Sequence, residues 1–143
     1  MMDLEDLDEV ISLESYHPGT RWSRNMFVEE IRNPLGHCFV MKLDHQIKQR
    51  VIGFICFRNL EDESELFNIC VHADYRRLGV GKRLMGFYVE FGRLRGIKNF
   101  HLEVLSSNQA AIRLYQLFSY ESSGMRKKFY RGRFDAFLMT RKA

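Results

Sequence analysis

Asn68-Ile69-Cys70-Val71-His72-Ala73-Asp74-Tyr75-Arg76-Arg77-Leu78-Gly79-Val80-Gly81-Lys82-Arg83-Leu84 changes character twice along its length. It opens as an apolar strand, passes through a turn, and becomes a helix whose first turn is rich in glycine and cations. That order suits the holding of a phosphate chain. Gly79 and Gly81 carry no Cβ, so a ligand can approach the backbone closely. The following helix offers unpaired N–H groups and the positive end of its dipole. Arg76, Arg77, Lys82 and Arg83 add formal charge at the same place.

Spacing sorts the known phosphate loops. A Walker loop requires glycine five residues ahead of the Gly-Lys pair and then Ser or Thr. Arg76 and Arg83 occupy those positions. A dinucleotide fingerprint requires Gly-x-Gly-x-x-Gly, and its third glycine is replaced by Leu84. What remains is Arg-x-x-Gly-x-Gly, from Arg76 to Gly81. Taken alone, this pattern also suits a cationic turn capping an ordinary helix.

Working outward, the glycine-loop helix shows Val80, Leu84, Phe87, Phe91 and Leu94 at spacings of four and three, which predicts a buried stripe. Gly96 ends it. Upstream, Glu65 to Val71 reads as a strand behind a loop from Glu61 to Ser64. His37 to Leu43 and Val51 to Arg58 read as strands around a polar loop, Asp44 to Arg50. Leu4 to Glu14 reads as a helix capped by Asp3 and stopped at His17-Pro18-Gly19. Ser23 caps a second helix that ends near Asn33-Pro34. Trp22 and Phe27 flank that cap at the spacing of a hydrophobic staple. Downstream, Asn99 to Leu105 alternates as a strand, with Phe100, Leu102 and Val104 on one face and His101 and Glu103 on the other. Asn108 to Phe118 reads as a helix, and Glu121 to Lys142 as two strands around Arg131-Gly132-Arg133. This order predicts an α/β fold with a mixed central sheet flanked by helices, in one domain spanning residues 1–143.

The chain has 143 residues, 45% hydrophobic and 28% charged, which is ordinary for a globular domain. A net charge of +4 suits an anionic ligand; a polyphosphate is sufficient, and nucleic acid is not required. Three cysteines, Cys38, Cys56 and Cys70, lie in apolar runs and read as buried free thiols of a reducing, cytoplasmic compartment. The acidic N-terminus does not read as a signal peptide, and no apolar run reaches membrane length. The five histidines have no metal-ligand spacing, so no metal is expected.

Several separated blocks together carry a resemblance. Leu66-Phe67-Asn68-Ile69-Cys70-Val71, the glycine loop, Leu102-Glu103-Val104 and Ser107-Asn108-x-x-Ala111-Ile112-x-Leu114-Tyr115 resemble the GNAT superfamily of acetyl-CoA-dependent N-acetyltransferases. Within it they are similar to the RimI-type ribosomal-protein-alanine N-acetyltransferases. The resemblance implies a mostly antiparallel sheet. It also implies that the usual first strand is short or absent here, because the chain begins almost inside the first helix. The expected activity is acetyl transfer to the α-amine of a protein N-terminus, the alanine of a small-subunit ribosomal protein. Acetyl-CoA is the expected co-substrate, and neither membrane nor nucleic acid is an expected partner.

The resemblance also assigns roles. Ile69, Cys70 and Val71 meet the acetyl-pantetheine arm. Arg76, Arg77, Leu78, Gly79, Val80, Gly81 and Lys82 cradle the pyrophosphate, and Asn108 contacts the pantetheine region. Glu103 is the general base and Tyr115 the general acid. Each residue also suits a plainer role: Glu103 as a strand carboxylate paired with a cation, Tyr115 as core, Asn108 as a helix cap. Tyr130 is a candidate peptide contact or a packing residue. Ser119 stands where the family has the glycine of a left-handed helix end. The altered C-terminal hairpin leaves a lysine or a small amine open as alternative acceptor. A non-catalytic CoA-sensing module is the other alternative.

Overall fold

Asp3 starts the first helical segment through its own side chain. Its Oδ1 accepts the Glu5 N–H at 2.9 Å, and Asp6 Oδ2 accepts the Asp3 N–H at 3.0 Å. This reciprocal cap nucleates one tight turn that runs into α1 (Leu7–Glu14). The computed structural model describes residues 1–14, 22–130 and 134–143, and of 128–130 and 134 the backbone alone. The stop at His17-Pro18-Gly19, the turn at Arg131-Gly132-Arg133 and the Tyr130 side chain lie outside what is described.

Helix α2 (Arg24–Arg32) begins where Ser23 Oγ accepts the Met26 N–H at 3.2 Å. Trp22 and Phe27 form the staple, with ring centroids 5.1 Å apart. Then follow β1 (Gly36–His45), β2 (Lys48–Leu60), β3 (Glu63–Val71), α3 (Val80–Leu94), β4 (Asn99–Leu105), α4 (Gln109–Leu117), β5 (Glu121–Tyr130) and β6 (Phe134–Lys142). The six strands form one sheet in the order β1-β2-β3-β4-β6-β5. Among the described residues only β3 and β4 pair in parallel. The mixed, mostly antiparallel sheet matches the expectation. No strand precedes α1 among the described residues. A single backbone bond stands in its place, from the Met2 N–H to the Cys38 carbonyl at 2.9 Å, and Met2 is buried.

Two expected loops shrink. The polar segment Asp44 to Arg50 continues both strands of the first hairpin, leaving only Gln46–Ile47 as the turn. Likewise β3 begins at Glu63 rather than Glu65. Gln46 and Glu61 hold φ of 55° in these turns. Left-handed residues usually announce themselves as glycine or asparagine. Here the strand ladders impose the conformation on residues that give no local signal.

The core lies on both faces of the sheet. Leu7, Val10, Leu13 and Phe27 pack with Val51, Phe54 and Cys56 on one side. Ile55, Phe57, Leu84, Met85, Tyr88 and Phe100 pack on the other. Strand β2 is buried on both faces, so Val51 to Phe57 reads as one apolar run.

The buried face of α3 differs from the predicted stripe. Val80 and Leu84 are buried as expected, but they are joined by Met85, Tyr88, Val89 and Gly92. Phe87 and Leu94 are exposed. Gly92 explains the rotation: a Cβ there would stand 2.6 Å from Phe100 Cε1. The contact face therefore includes a glycine and a tyrosine, which apolarity alone does not mark. The Tyr88 hydroxyl is satisfied by Ser64 Oγ at 2.8 Å. Phe87 and Phe91 instead lean on Phe39, with centroids 4.7 and 5.3 Å away.

Helix α4 ends in a left-handed residue although serine, not glycine, stands there. Ser119 takes φ of 65°, and the Tyr120 N–H returns to the Tyr115 carbonyl at 3.2 Å. An L-residue with a Cβ is strained in that conformation. Ser119→Gly is expected to stabilise the fold by about 1 kcal/mol. A thermal melt would show this as a rise of roughly 3 °C. An unchanged or lower midpoint would contradict it.

Candidate active site

Strands β3 and β4 run side by side only from Glu63↔Asn99 to Leu66↔Leu102. Beyond that they part. β3 continues to Val71 paired only with β2, and β4 continues to Leu105 paired only with β6. A bulge accompanies the parting: Cys56 opposes Asn68 and Phe57 opposes Leu66, so Phe67 is the extra residue. A bulge bends its strand and increases local twist. It turns the end of β3 away from β4 and opens a cleft of about 690 Å³ between them.

The walls of this cleft collect almost every residue singled out in the sequence. β3 supplies Ile69, Cys70 and Val71, and β4 supplies Glu103. Arg76, Arg77, Gly79, Val80, Gly81 and Lys82 close one end, and Asn108 and Tyr115 come from α4 and its cap. Leu78 is the exception: it is exposed and does not line the cleft. The turn between Arg77 and Gly79 points its side chain to solvent.

The glycine loop is built for a ligand's approach. Arg77 and Gly79 hold φ of 63° and 84°, so the chain folds back just before α3 begins. Gly79 is the helix cap, and no side chain covers the first-turn N–H groups. Those groups face the cleft with the dipole behind them. A Cβ on Gly81 would meet Leu114 Cδ2 at 3.2 Å and Val71 Cγ2 at 3.9 Å. The helix therefore sits as close to the cleft wall as a glycine permits. Arg76, Arg77 and Lys82 surround this end with positive charge. The donor set, the missing side chains and the charge all fit a diphosphate.

Glu103 and Tyr115 are titratable groups of the cleft wall. Glu103 keeps 20% of its side chain exposed, and its Oε1 lies 2.9 Å from Arg126 Nη2. It is thus both a cleft residue and an ion-paired strand carboxylate. Tyr115 is buried, with its ring 5.9 Å from that of Tyr120. Asn108 caps α4, accepting the Ala111 N–H at 3.2 Å while it lines the cleft. For all three, the plainer structural role and the position in the cleft hold together.

Cys70 shows its backbone rather than its chemistry. Burial, and then the charge of Glu14, push its thiol up to about 12. At neutral pH it stays protonated and inert. All three cysteines are free and buried. His72 Nδ1 accepts the Asp74 N–H at 3.0 Å, and His101 lies between Glu63 and Thr140. Among the described residues no cluster could hold a metal ion, and no helix is long and apolar enough to cross a membrane.

Two further parts carry no local signal in the sequence. Buried Glu14 accepts the Trp22 N–H at 2.8 Å and Asn68 Nδ2 at 2.9 Å, fixing a cleft strand to α1. Arg126 reaches Glu103 from β5 across the whole width of β6. Neither partnership follows a local spacing; only the sheet order reveals them.

A six-stranded sheet that opens between two parallel strands over a glycine-rich helix start defines a class. The family model described as "Acetyltransferase (GNAT) family" matches residues 1–120, and the chain belongs to that family. Within it, the chain is similar to the [Ribosomal protein bS18]-alanine N-acetyltransferase of Escherichia coli K12. They are 35% identical over 102 residues, covering 68% of this chain and 69% of that protein. The crystal structure of the ribosomal-protein-S18-alanine N-acetyltransferase from Escherichia coli superposes with a TM-score of 0.88. It is 28% identical and covers 99% of this chain and 90% of that one. Arabidopsis thaliana NAA60, solved in complex with acetyl-CoA, shares the fold at a TM-score of 0.81 and 18% identity, covering 96% of this chain and 93% of that one.

Proposed function

We propose that the chain transfers an acetyl group from acetyl-CoA to the α-amine of a protein N-terminus, with the N-terminal alanine of a small-subunit ribosomal protein as its substrate. One observation carries this reading. Glu103 and Tyr115 line the same parted-strand cleft whose end is the cationic glycine loop. The similarity to bS18-alanine N-acetyltransferases supports the choice of substrate.

Acetyl-CoA supplies the activated acyl carbon. The first-turn N–H groups of α3, with Arg76, Arg77 and Lys82, hold its diphosphate. The unpaired side of Ile69 to Val71 accepts its arm as an added strand, and a backbone N–H near Val71 steadies the thioester oxygen. Such a donor is worth about 3 kcal/mol in the transition state. The substrate nitrogen bonds to the carbonyl carbon, and Glu103 takes the proton it sheds. The carbon–sulfur bond then breaks, and Tyr115 gives its proton to the departing sulfur. A free α-amine, with a pKa of about 7.7–8.0, reaches the site partly neutral at cytoplasmic pH.

Incubation with acetyl-CoA and a panel of N-terminal peptides, read by mass spectrometry, tests the reading. The expected result is one acetyl group on the α-nitrogen of peptides beginning with alanine. Label confined to side-chain amines, or no turnover on any peptide, would overturn it. Gly81→Val separates the cofactor site from the fold. Its side chain would press on Leu114 and Val71 and push the start of α3 off the cleft wall. Acetyl-CoA affinity measured by calorimetry should fall at least about tenfold, while overpacking lowers stability by only about 1–2 kcal/mol. Loss of folding with affinity retained in the surviving fraction would contradict the placement.

A further inference from the structure

We infer that Asn68 holds the acceptor amine through its side-chain oxygen, and that buried Glu14 sets which end of the Asn68 amide faces the cleft. The inference rests on the reading of Glu103 as the proton acceptor, and it adds a second partner for the same nitrogen.

The bulge in β3 brings Asn68 opposite Glu103. Leu66 and Leu102 form the last pair of the parallel seam, and both belong to the core that contains the buried side chains of α3. Glu103 is the next residue of β4, so it points to the other face of the sheet. On β3 the bulge inserts Phe67, and Asn68 takes the next step of the ladder, across from Cys56. Cys56 packs with Leu7, Val10 and Phe27 of α1 and α2. Cross-strand partners share a face, so Asn68 points that way too. Asn68 and Glu103 thus stand one step beyond the seam, on the same face and on either side of the opening, and both line the cleft. Paired strands lie about 4.8 Å apart. These two part from there, which leaves room for a nitrogen between them.

Glu14 fixes the polarity of the amide. It is buried at the end of α1, and each carboxylate oxygen accepts one hydrogen bond. Oε2 takes the Trp22 N–H at 2.8 Å, and Oε1 takes Asn68 Nδ2 at 2.9 Å. A carboxylate only accepts, so the amide turns its nitrogen inward. Oδ1 is the outward atom: among the described residues it is neither hydrogen-bonded nor buried. A buried carboxylate is costly unless its hydrogen bonds are made. This one directs both at cleft residues, Trp22 and Asn68.

An attacking amine needs such an oxygen. A neutral primary amine aims its lone pair at the acyl carbon and has two N–H bonds to place. Glu103 receives one and Asn68 Oδ1 the other. Held by both, the nitrogen cannot swing its lone pair away from the thioester. The opposite end of the amide would set N–H against N–H and leave both unpaired.

Glu14→Gln tests this without a change of size. The Trp22 N–H belongs to the backbone and cannot turn, so the glutamine gives it Oε1. Its Nε2 then meets Asn68, whose amide flips to accept through Oδ1. Both hydrogen bonds of Glu14 are replaced, but the cleft now faces Nδ2. The KM for a peptide beginning with alanine should rise at least about tenfold. Acetyl-CoA affinity should stay within about threefold and the melting midpoint within about 3 °C. A merely structural Glu14 would leave KM where it was. Adding Asn68→Asp to Glu14→Gln restores an oxygen to the cleft. One oxygen of the new carboxylate accepts from the glutamine and the other faces the amine, so KM should return to within about threefold of wild type. Asn68→Ala removes the oxygen and leaves Glu14 in place; KM should again rise at least about tenfold. This variant decides the matter if Glu14→Gln does not fold. A KM unchanged in either single variant, or unrestored in the double one, overturns the inference while the α-amine reading stands. A wild type inactive on every N-terminal peptide overturns that reading, and this inference with it.

Discussion

Glu103→Gln is expected to lower kcat by about 10²–10⁴-fold, the usual contribution of a positioned general base. The affinity for acetyl-CoA should stay within about twofold, because the glycine loop and the Ile69 to Val71 backbone are untouched. Fold stability should barely move. The amide oxygen of glutamine still accepts from Arg126, and the replaced group is partly exposed. Steady-state kinetics, acetyl-CoA calorimetry and a thermal melt on one preparation separate these quantities. A variant that keeps more than about a third of wild-type kcat would show that Glu103 is only the partner of Arg126, as its ion pair alone would suggest.

Phe57→Ala is expected to cost about 3–5 kcal/mol, the largest single loss of stability foreseen for this chain. Phe57 is fully buried and stands at the centre of an aromatic group. Its ring centroid is 4.5 Å from Tyr88, 5.3 Å from His37, 5.4 Å from Phe91 and 6.0 Å from Phe39. Truncation removes the contacts that fasten α3 to β1 and β2, and Tyr88 cannot collapse into the gap while its hydroxyl is held by Ser64. The melting midpoint should fall by roughly 10–20 °C. A fall under about 3 °C would mean that the aromatic group re-forms without it.

The fold was legible where its chemistry is local. Asp3 and Ser23 announce helix starts by their own hydrogen bonds, and Trp22 with Phe27 announces the second one again. Gly96 ends α3 at φ of 80° because a glycine can. Legibility failed where the sheet decides. Gln46 and Glu61 turn the chain without glycine, so the sequence assigns the hairpin ends to loops longer than the turns that form. The face of α3 was rotated because Gly92 makes room for Phe100, a contact no periodicity displays.

The site divided along the same line. Arg76 to Lys82 form a continuous segment, and their order alone suggested a phosphate cradle. Glu103, Asn108 and Tyr115 were marked by resemblance, and the fold brings them to that cradle. Leu78 shares the segment but not its role, because its side chain turns outward. Arg126 could not be read at all. It lies far along the chain from Glu103 and two strands away in the sheet, so no window of sequence contains both.

The parting of β3 from β4 divides the sheet into two antiparallel leaves, β1-β2-β3 and β4-β6-β5, sewn together along a short parallel seam. A guest that lies against both leaves extends that seam. Without one, the two leaves meet only at one end, like covers on a spine.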